Sequence, residues 1–195
     1  MNRHLIIDRH RGKHTFKRLI AIATIAAGCA YPVAAQVSVD QYLEDGRRYV
    51  CSSQEVLYDN FFHTARFAVA ATADLGGLVT FTLEVTYDEG MLNVVHGDSL
   101  TLVLRGGDHV VLTADRDVTR ADITKRHFSD RNIYYITCHY GMTTYDIQRI
   151  TRNRVTKLRS QTGEYTFDRK LDGFQDRFRR QFTAVFRYLM GKNKD

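Results

Sequence analysis

The chain has 195 residues, with 28 lysines and arginines against 22 aspartates and glutamates and a formal net charge of +6. Arg3, Arg9, Arg11, Lys13, Lys17 and Arg18, opposed by Asp8 alone, lie near its start, so beyond residue 35 the two signs nearly balance. That balance excludes the broad basic footprint of a nucleic-acid-binding protein, and no nucleic-acid partner is expected.

The basic start is followed by an uncharged run of small and apolar residues from Leu19 to Ala30. A basic segment followed by an apolar one has the form of a secretory signal. The run barely reaches the ~20 apolar residues that a membrane span needs, with Pro32 close behind it, so cleavage is expected. Val33 and Ala35 supply the small residues of an ordinary signal-peptidase site, which makes 1–35 the signal peptide. "AAGC" before Cys29 resembles a lipobox, with Ala26 where Leu, Val or Ile usually stands, so a lipoprotein anchored through Cys29 is the alternative. Both readings imply an exported bacterial protein, periplasmic or at the cell surface. Residues 36–195 then read as one domain: the single proline, Pro32, lies outside them, and no repeat or low-complexity stretch divides them.

Strand signals come first. "RRYVCSSQEVLYD" (47–59) is a strand candidate with a polar middle, and "TARFAVAAT" (64–72) is another. In "LVTFTLEVTY" (78–87), Phe81, Leu83, Val85 and Tyr87 alternate with Thr80, Thr82, Glu84 and Thr86, the pattern of a half-buried strand. "DLGG" before it signals a hairpin turn. "SLTLVLR" and "HVVLTA", joined through "GGD" (106–108), form a second hairpin signal, and "NIYYITCHY" (132–140) a further strand. Between these last two lies "DRDVTRADITKRHFSDR" (115–131), a long polar stretch that reads as a solvated edge strand and loop, or as an insertion carrying binding residues over a rigid sheet.

Helical period then takes over. "TTYDIQRITRN" offers Thr143 as an N-cap with Asp146 three residues on, and Asn153 as a stop. After strand candidates at "RVTKLRS" and "EYTFD", the apolar residues Leu171, Phe174, Phe178, Phe182, Val185, Phe186 and Leu189 fall on one helical stripe, opposite Arg177, Arg180 and Arg187. Aromatic side chains of that number predict a helix packed across a sheet as core. The expected fold is α+β, an antiparallel sheet meander covered by the C-terminal helix. A β-sandwich with a peripheral helix is the alternative.

The segments "SLTLVLRGGDHVVLTA" and "IYYITCHYGMTTYDIQRITRNRVTKLR" together resemble uncharacterised exported bacterial proteins. The shared arrangement is strand, Gly/Asp turn, strand, polar stretch, Tyr-rich strand, helix and a K-L-R strand. The resemblance implies the strand–helix–strand order and nothing about chemistry.

Candidate functional residues are few. Cys51 and Cys138 either pair in an oxidising compartment or stay buried as free thiols. Neighbours on a strand point to opposite faces, so Cys138 and His139 are badly placed as a nucleophile and its base. The histidines at 63, 96, 109, 127 and 139 show no helical metal spacing, and no metal or cofactor is expected. Charge is uneven: 36–148 is acidic and 149–195 strongly basic. Either the two cancel by docking together, or the basic part meets an anionic envelope component or protein partner. The leading expectation is a non-enzymatic exported binding or cell-envelope domain. Its contact residues are Arg120, Arg126, His127 and Asp130 in the polar stretch, with Arg152, Arg154, Arg159, Arg177 and Arg180. The rival is a hydrolase assembled from His127, Asp130 and His139.

Overall fold

In the computed structural model, residues 36–59, 63–88, 93–118, 123–128, 131–162 and 166–192 are described. They form strands β1 (Val37–Tyr42), β2 (Arg48–Ser52), β3 (Glu55–Asp59), β4 (Thr64–Ala73), β5 (Val79–Tyr87), β6 (Ser99–Leu104), β7 (His109–Ala114), β8 (Ile123–Phe128) and β9 (Arg131–Met142). Helix α1 (Thr144–Arg152), strands β10 (Val155–Gln161) and β11 (Thr166–Lys170), and helix α2 (Phe174–Lys192) complete them. The fold is α+β. All strands join one 11-stranded antiparallel sheet, in the order β1-β2-β4-β5-β9-β7-β6-β10-β11, with β3 also on β4 and β8 also on β9.

Two departures from the expected strands have local causes. The stretch 47–59 is two strands, because Ser52 leaves the ladder: its Oγ accepts the Val69 N–H at 2.9 Å, and pairing with β4 resumes only at Glu55↔Phe67. The polar stretch 115–131 contains β8, an edge strand whose charged residues are tolerated because it pairs along one edge only. β1 carries no strong sequence signal and owes its place to pairing with β2.

The register sets both ends of the sheet. Tyr42↔Arg48, Arg48↔Ala73, Ala73↔Val79, Phe81↔Met142, Val103↔His109 and Leu104↔Val155 lie at one end. The turns 43–47, 74–78 and 105–108 and both ends of the α1 connection therefore share that end, called here the turn end. Gly77 (φ +83°), Gly106 (φ +101°) and Gly107 (φ +94°) supply the left-handed conformations that two of these turns require.

The core occupies one face. Phe67, Val69, Leu83, Val85, Tyr87, Ile136, Cys138 and Tyr140 are buried there. The sheet curls, since Phe167 of β11 meets Tyr87 of β5 edge-on at 5.6 Å and the Arg169 guanidinium lies 5.8 Å from the Tyr58 ring of β3. Helix α2 covers this face. Phe174 packs on Phe67 and Phe182 on Phe81, each at 5.0 Å between centroids. Phe186, expected in the core, is instead 46% exposed, because steps of four residues drift around the helix and carry it to the flank of the stripe, while Val185 and Leu189 stay buried. Helix α1 starts from a complete capping box: Asp146 N–H donates to Thr143 Oγ1 at 3.1 Å, and Thr143 N–H to Asp146 Oδ2 at 2.9 Å.

The cysteines do not pair. Both are buried free thiols. Cys138 lies in the main core and Cys51 on the opposite face, with β4 and β5 between their strands. Three strand spacings amount to ~14 Å, about twice the span that a disulfide can bridge.

Candidate functional site

Most arginines of the basic C-terminal part are consumed by the fold. Arg159 forks onto Asp168 at 2.8 and 3.2 Å, and Lys157 reaches the same carboxylate at 2.5 Å, which holds Asp168 well below the usual carboxylate range. Arg177 donates to the Val56, Asp172 and Gly173 carbonyls and ties the first turn of α2 to β3. Arg180 meets Glu55 at 3.3 Å, beside the buried Gln181, which donates to the same carboxylate at 2.7 Å. Internal complementarity therefore accounts for Arg159, Arg177 and Arg180.

Arg152 and Arg154 differ. Both are exposed and make no ion pair among the described residues. Arg152 occupies the last turn of α1, where a cation also complements the negative end of the helix. Arg154 accepts on its backbone carbonyl the N–H of Arg105 at 2.7 Å, which brings a third exposed arginine alongside. The acids nearby are engaged: Asp108 pairs with Arg149 and accepts the His109 N–H, and Asp146 caps α1. Arg105, Arg152 and Arg154 thus form a basic cluster at the turn end.

The same end carries an apolar surface. Tyr42, Leu75, Leu78, Val79, Phe186 and Met190 are six of the ten exposed large apolar side chains among the described residues. All but Leu78 line a shallow groove of about 330 Å³ between the β1–β2 and β4–β5 turns and the C-terminal part of α2. Leu75, at the tip of its turn, is 87% exposed. Scattered exposed apolar residues need no explanation, but a contiguous set marks an interaction surface.

A third group lies on the sheet face away from the main core. Glu84 of β5 pairs in register with His139 of β9 on one side and Ala68 of β4 on the other. Because β4 presents only Ala68 and Ala70 here, Tyr49 and Cys51 reach across it from β2. The Tyr49 hydroxyl donates to Glu84 Oε1 in a short bond, and the Cys51 thiol lies 3.7 Å from Oε2. His139 Nδ1 is 3.3 Å from Oε1, close enough for an ion pair but off the line of a hydrogen bond. Burial pushes the Glu84 carboxyl up, yet His139, Tyr49 and Arg116 outweigh it and hold the group below the ordinary 4.5. Burial and the Glu84 charge push the Tyr49 hydroxyl and Cys51 thiol up, so both stay protonated donors. The group stabilises a buried negative charge and offers no thiolate nucleophile.

Of the other expected site residues, Arg120 and Asp130 lie outside the described residues. Arg126 and His127 lie on β8, opposite Ile133 and Asn132 of β9, and their side chains lie outside the description. Sequence reasoning named neither Arg105 nor Leu75, and it placed Glu84 on the polar side of its strand without giving it a role. The "LGGL" at 75–78, two leucines around a glycine turn, was the available signal for the apolar tip. Scanned against protein-family models, curated proteins and solved structures, the chain matches none of them.

Proposed function

We propose that this chain is an exported, non-enzymatic binding domain of the cell envelope and that its ligand is anionic. The observation that supports this reading is the contrast among its arginines: Arg159, Arg177 and Arg180 are spent on internal partners, whereas Arg105, Arg152 and Arg154 stand together, exposed and without a carboxylate. A cluster of like charges at low dielectric screening attracts counter-charges, and that attraction falls with salt over a distance of ~10 Å at 0.1 M.

The test is retention on immobilised dextran sulfate in a salt gradient. The wild-type chain is expected to elute late and the Arg105→Gln/Arg152→Gln/Arg154→Gln variant early. A control at the paired Arg159 should change little. Co-elution of the triple variant with wild type overturns the reading.

One observation favours the hydrolase alternative: Glu84 stands 3.3 Å behind His139, in the position of an orienting carboxylate. In that reading Glu84 joins His139, with His127 drawn from β8 and Asp130, which lies outside the described residues, completing the set. Turnover of a chromogenic ester that disappears in His139→Gln would bring it forward.

A further inference from the structure

The proposed anionic ligand leaves open why the turn end is also apolar. Resting on that reading, we infer that the partner is an anionic phospholipid bilayer, on which Leu75, Leu78, Phe186 and Met190 enter the acyl region while Arg105, Arg152 and Arg154 meet the phosphates.

Two observations on the page lead there. The first is the coincidence of chemistry at one end. The register places the turns 43–47, 74–78 and 105–108 and the α1 connection at the same end of the strands, so the apolar groove and the basic cluster share that end, the groove by the last turns of α2 and Arg152 by its first. Of the acids at this end, Asp45 is paired with Arg47, Asp40 with Arg48 and Asp108 with Arg149, and Asp146 caps α1, while Asp74 in the apolar turn accepts only backbone N–H groups and Glu44 and Asp172 remain. An apolar groove and exposed cations at one end of the strands together complement an anionic leaflet, whose phosphates lie just above the chains.

The second is the backbone of the apolar tip. A turn can enter an apolar phase only if its polar groups are satisfied within itself. In the 74–78 turn, Leu78 N–H donates to Asp74 Oδ1 at 2.8 Å, Asp74 N–H to the Leu78 carbonyl at 3.0 Å, and Gly77 N–H to the Asp74 carbonyl at 3.1 Å. The neighbouring turn closes likewise, with Leu43 N–H to the Arg47 carbonyl at 2.8 Å and Gly46 N–H to the Leu43 carbonyl at 3.0 Å. These donors stay satisfied when the tips lose water, whereas the Leu75 and Gly76 N–H groups have no backbone partner, so the side chains and not the backbone of the tip go into the acyl region.

The chain contains no tryptophan, so a single introduced one reports on its own position. The full chain carrying Leu75→Trp is mixed with phosphatidylcholine vesicles, with or without phosphatidylglycerol, and compared with Val95→Trp at the opposite end of the sheet. The expected result is a blue-shifted emission, quenched by brominated acyl chains, for Leu75→Trp on the anionic vesicles and none for Val95→Trp. Adding Leu78→Ser should weaken partitioning about tenfold. Arg152→Gln and Arg154→Gln should each weaken it about fivefold on anionic vesicles and leave neutral ones unaffected. Residues 1–35 are common to all variants, so binding carried by them leaves the Leu75 reporter in water and overturns the inference. A blue shift that depends on protein concentration without vesicles overturns it in favour of a second copy of the chain. Loss of dextran sulfate retention in the arginine variants together with a silent reporter leaves the anionic reading standing and removes the bilayer. Binding indifferent to the arginines removes both.

Discussion

Replacing Glu84 by Gln tests whether the outer-face group is held together by a charge. The substitution keeps the shape and one acceptor oxygen but removes the carboxylate that Tyr49 and Cys51 face and that His139 approaches at 3.3 Å. Hydrogen bonds to a charged acceptor contribute ~1.5–3 kcal/mol each, and a thiol donor is weak, so the loss at neutral pH should be ~2–3 kcal/mol. The folded-state pKa of Glu84 lies below its ordinary value. Its contribution is therefore fully present above the ordinary carboxylate range and is lost as pH falls through the folded pKa. Urea unfolding of wild type and Glu84→Gln, at neutral pH and well below the carboxylate range, measures both terms. Acid effects at distant carboxylates such as Asp168 cancel in the difference. The stability gap should be large at neutral pH and shrink in acid. A variant as stable as wild type at neutral pH, or a gap unchanged in acid, refutes a charge-centred network.

Three further outcomes follow from the same geometry. Thr143→Ala removes the side chain that accepts from Asp146 N–H and should cost ~1 kcal/mol in chemical unfolding. Phe178→Ala, at a residue 0% exposed, should cost ~3–5 kcal/mol, whereas Phe186→Ala, at a residue 46% exposed, should cost well under half of that in the same measurement. Cys51 and Cys138 should resist a thiol reagent in the folded protein and react only on unfolding, as mass spectrometry of labelled peptides would show; a Cys51–Cys138 disulfide peptide in the exported protein would contradict their separation on the sheet.

What could be read from the residues depended on how local its cause was. Helix α1 was legible to its boundaries because its cap, Thr143 with Asp146, and its stop at Asn153 lie within the segment. The phenylalanine period revealed α2 for the same reason. β1 was not legible, since it lacks the alternation of a half-buried strand and is held by a neighbour that no local pattern announces, and the bounds of β8 within its polar stretch were out of reach for the same reason. Strand order was out of reach altogether: β5 pairs with β9 rather than with β6, a choice made by long-range packing. The arginines show the limit most clearly. Counting charge marked 149–195 as basic, but whether an arginine is free depends on acceptors far along the chain. Arg180 finds Glu55 125 residues away, and Arg154 finds none among the described residues. Alternation placed Glu84 on the polar side of its strand but could not tell what lies over that side. Two alanines on the neighbouring strand let Tyr49 cross and cover it.

The helix that completes the core also leads to the surface where the proposed ligand would bind. Phe174, Phe178, Phe182 and Phe186 stack in series, with centroids 5.7, 6.4 and 6.0 Å apart. Exposure rises from 0% at Phe174 and Phe178 to 46% at Phe186. One sequence ladder thus makes two kinds of surface, because residues four apart drift ~40° around the helix at each step and carry Phe186 off the core side. Val185 and Leu189, on the same turns, stay buried in the core, so folding uses them and not Phe186. Leu75 has the same character, at 87% exposure on a turn whose shape is set by Asp74 and Gly77 rather than by packing of the leucine. Residues whose identity the fold does not require, gathered at the end that also holds the unpaired arginines, are where binding and stability separate. Substitutions there can change partner affinity while leaving the unfolding transition where it is.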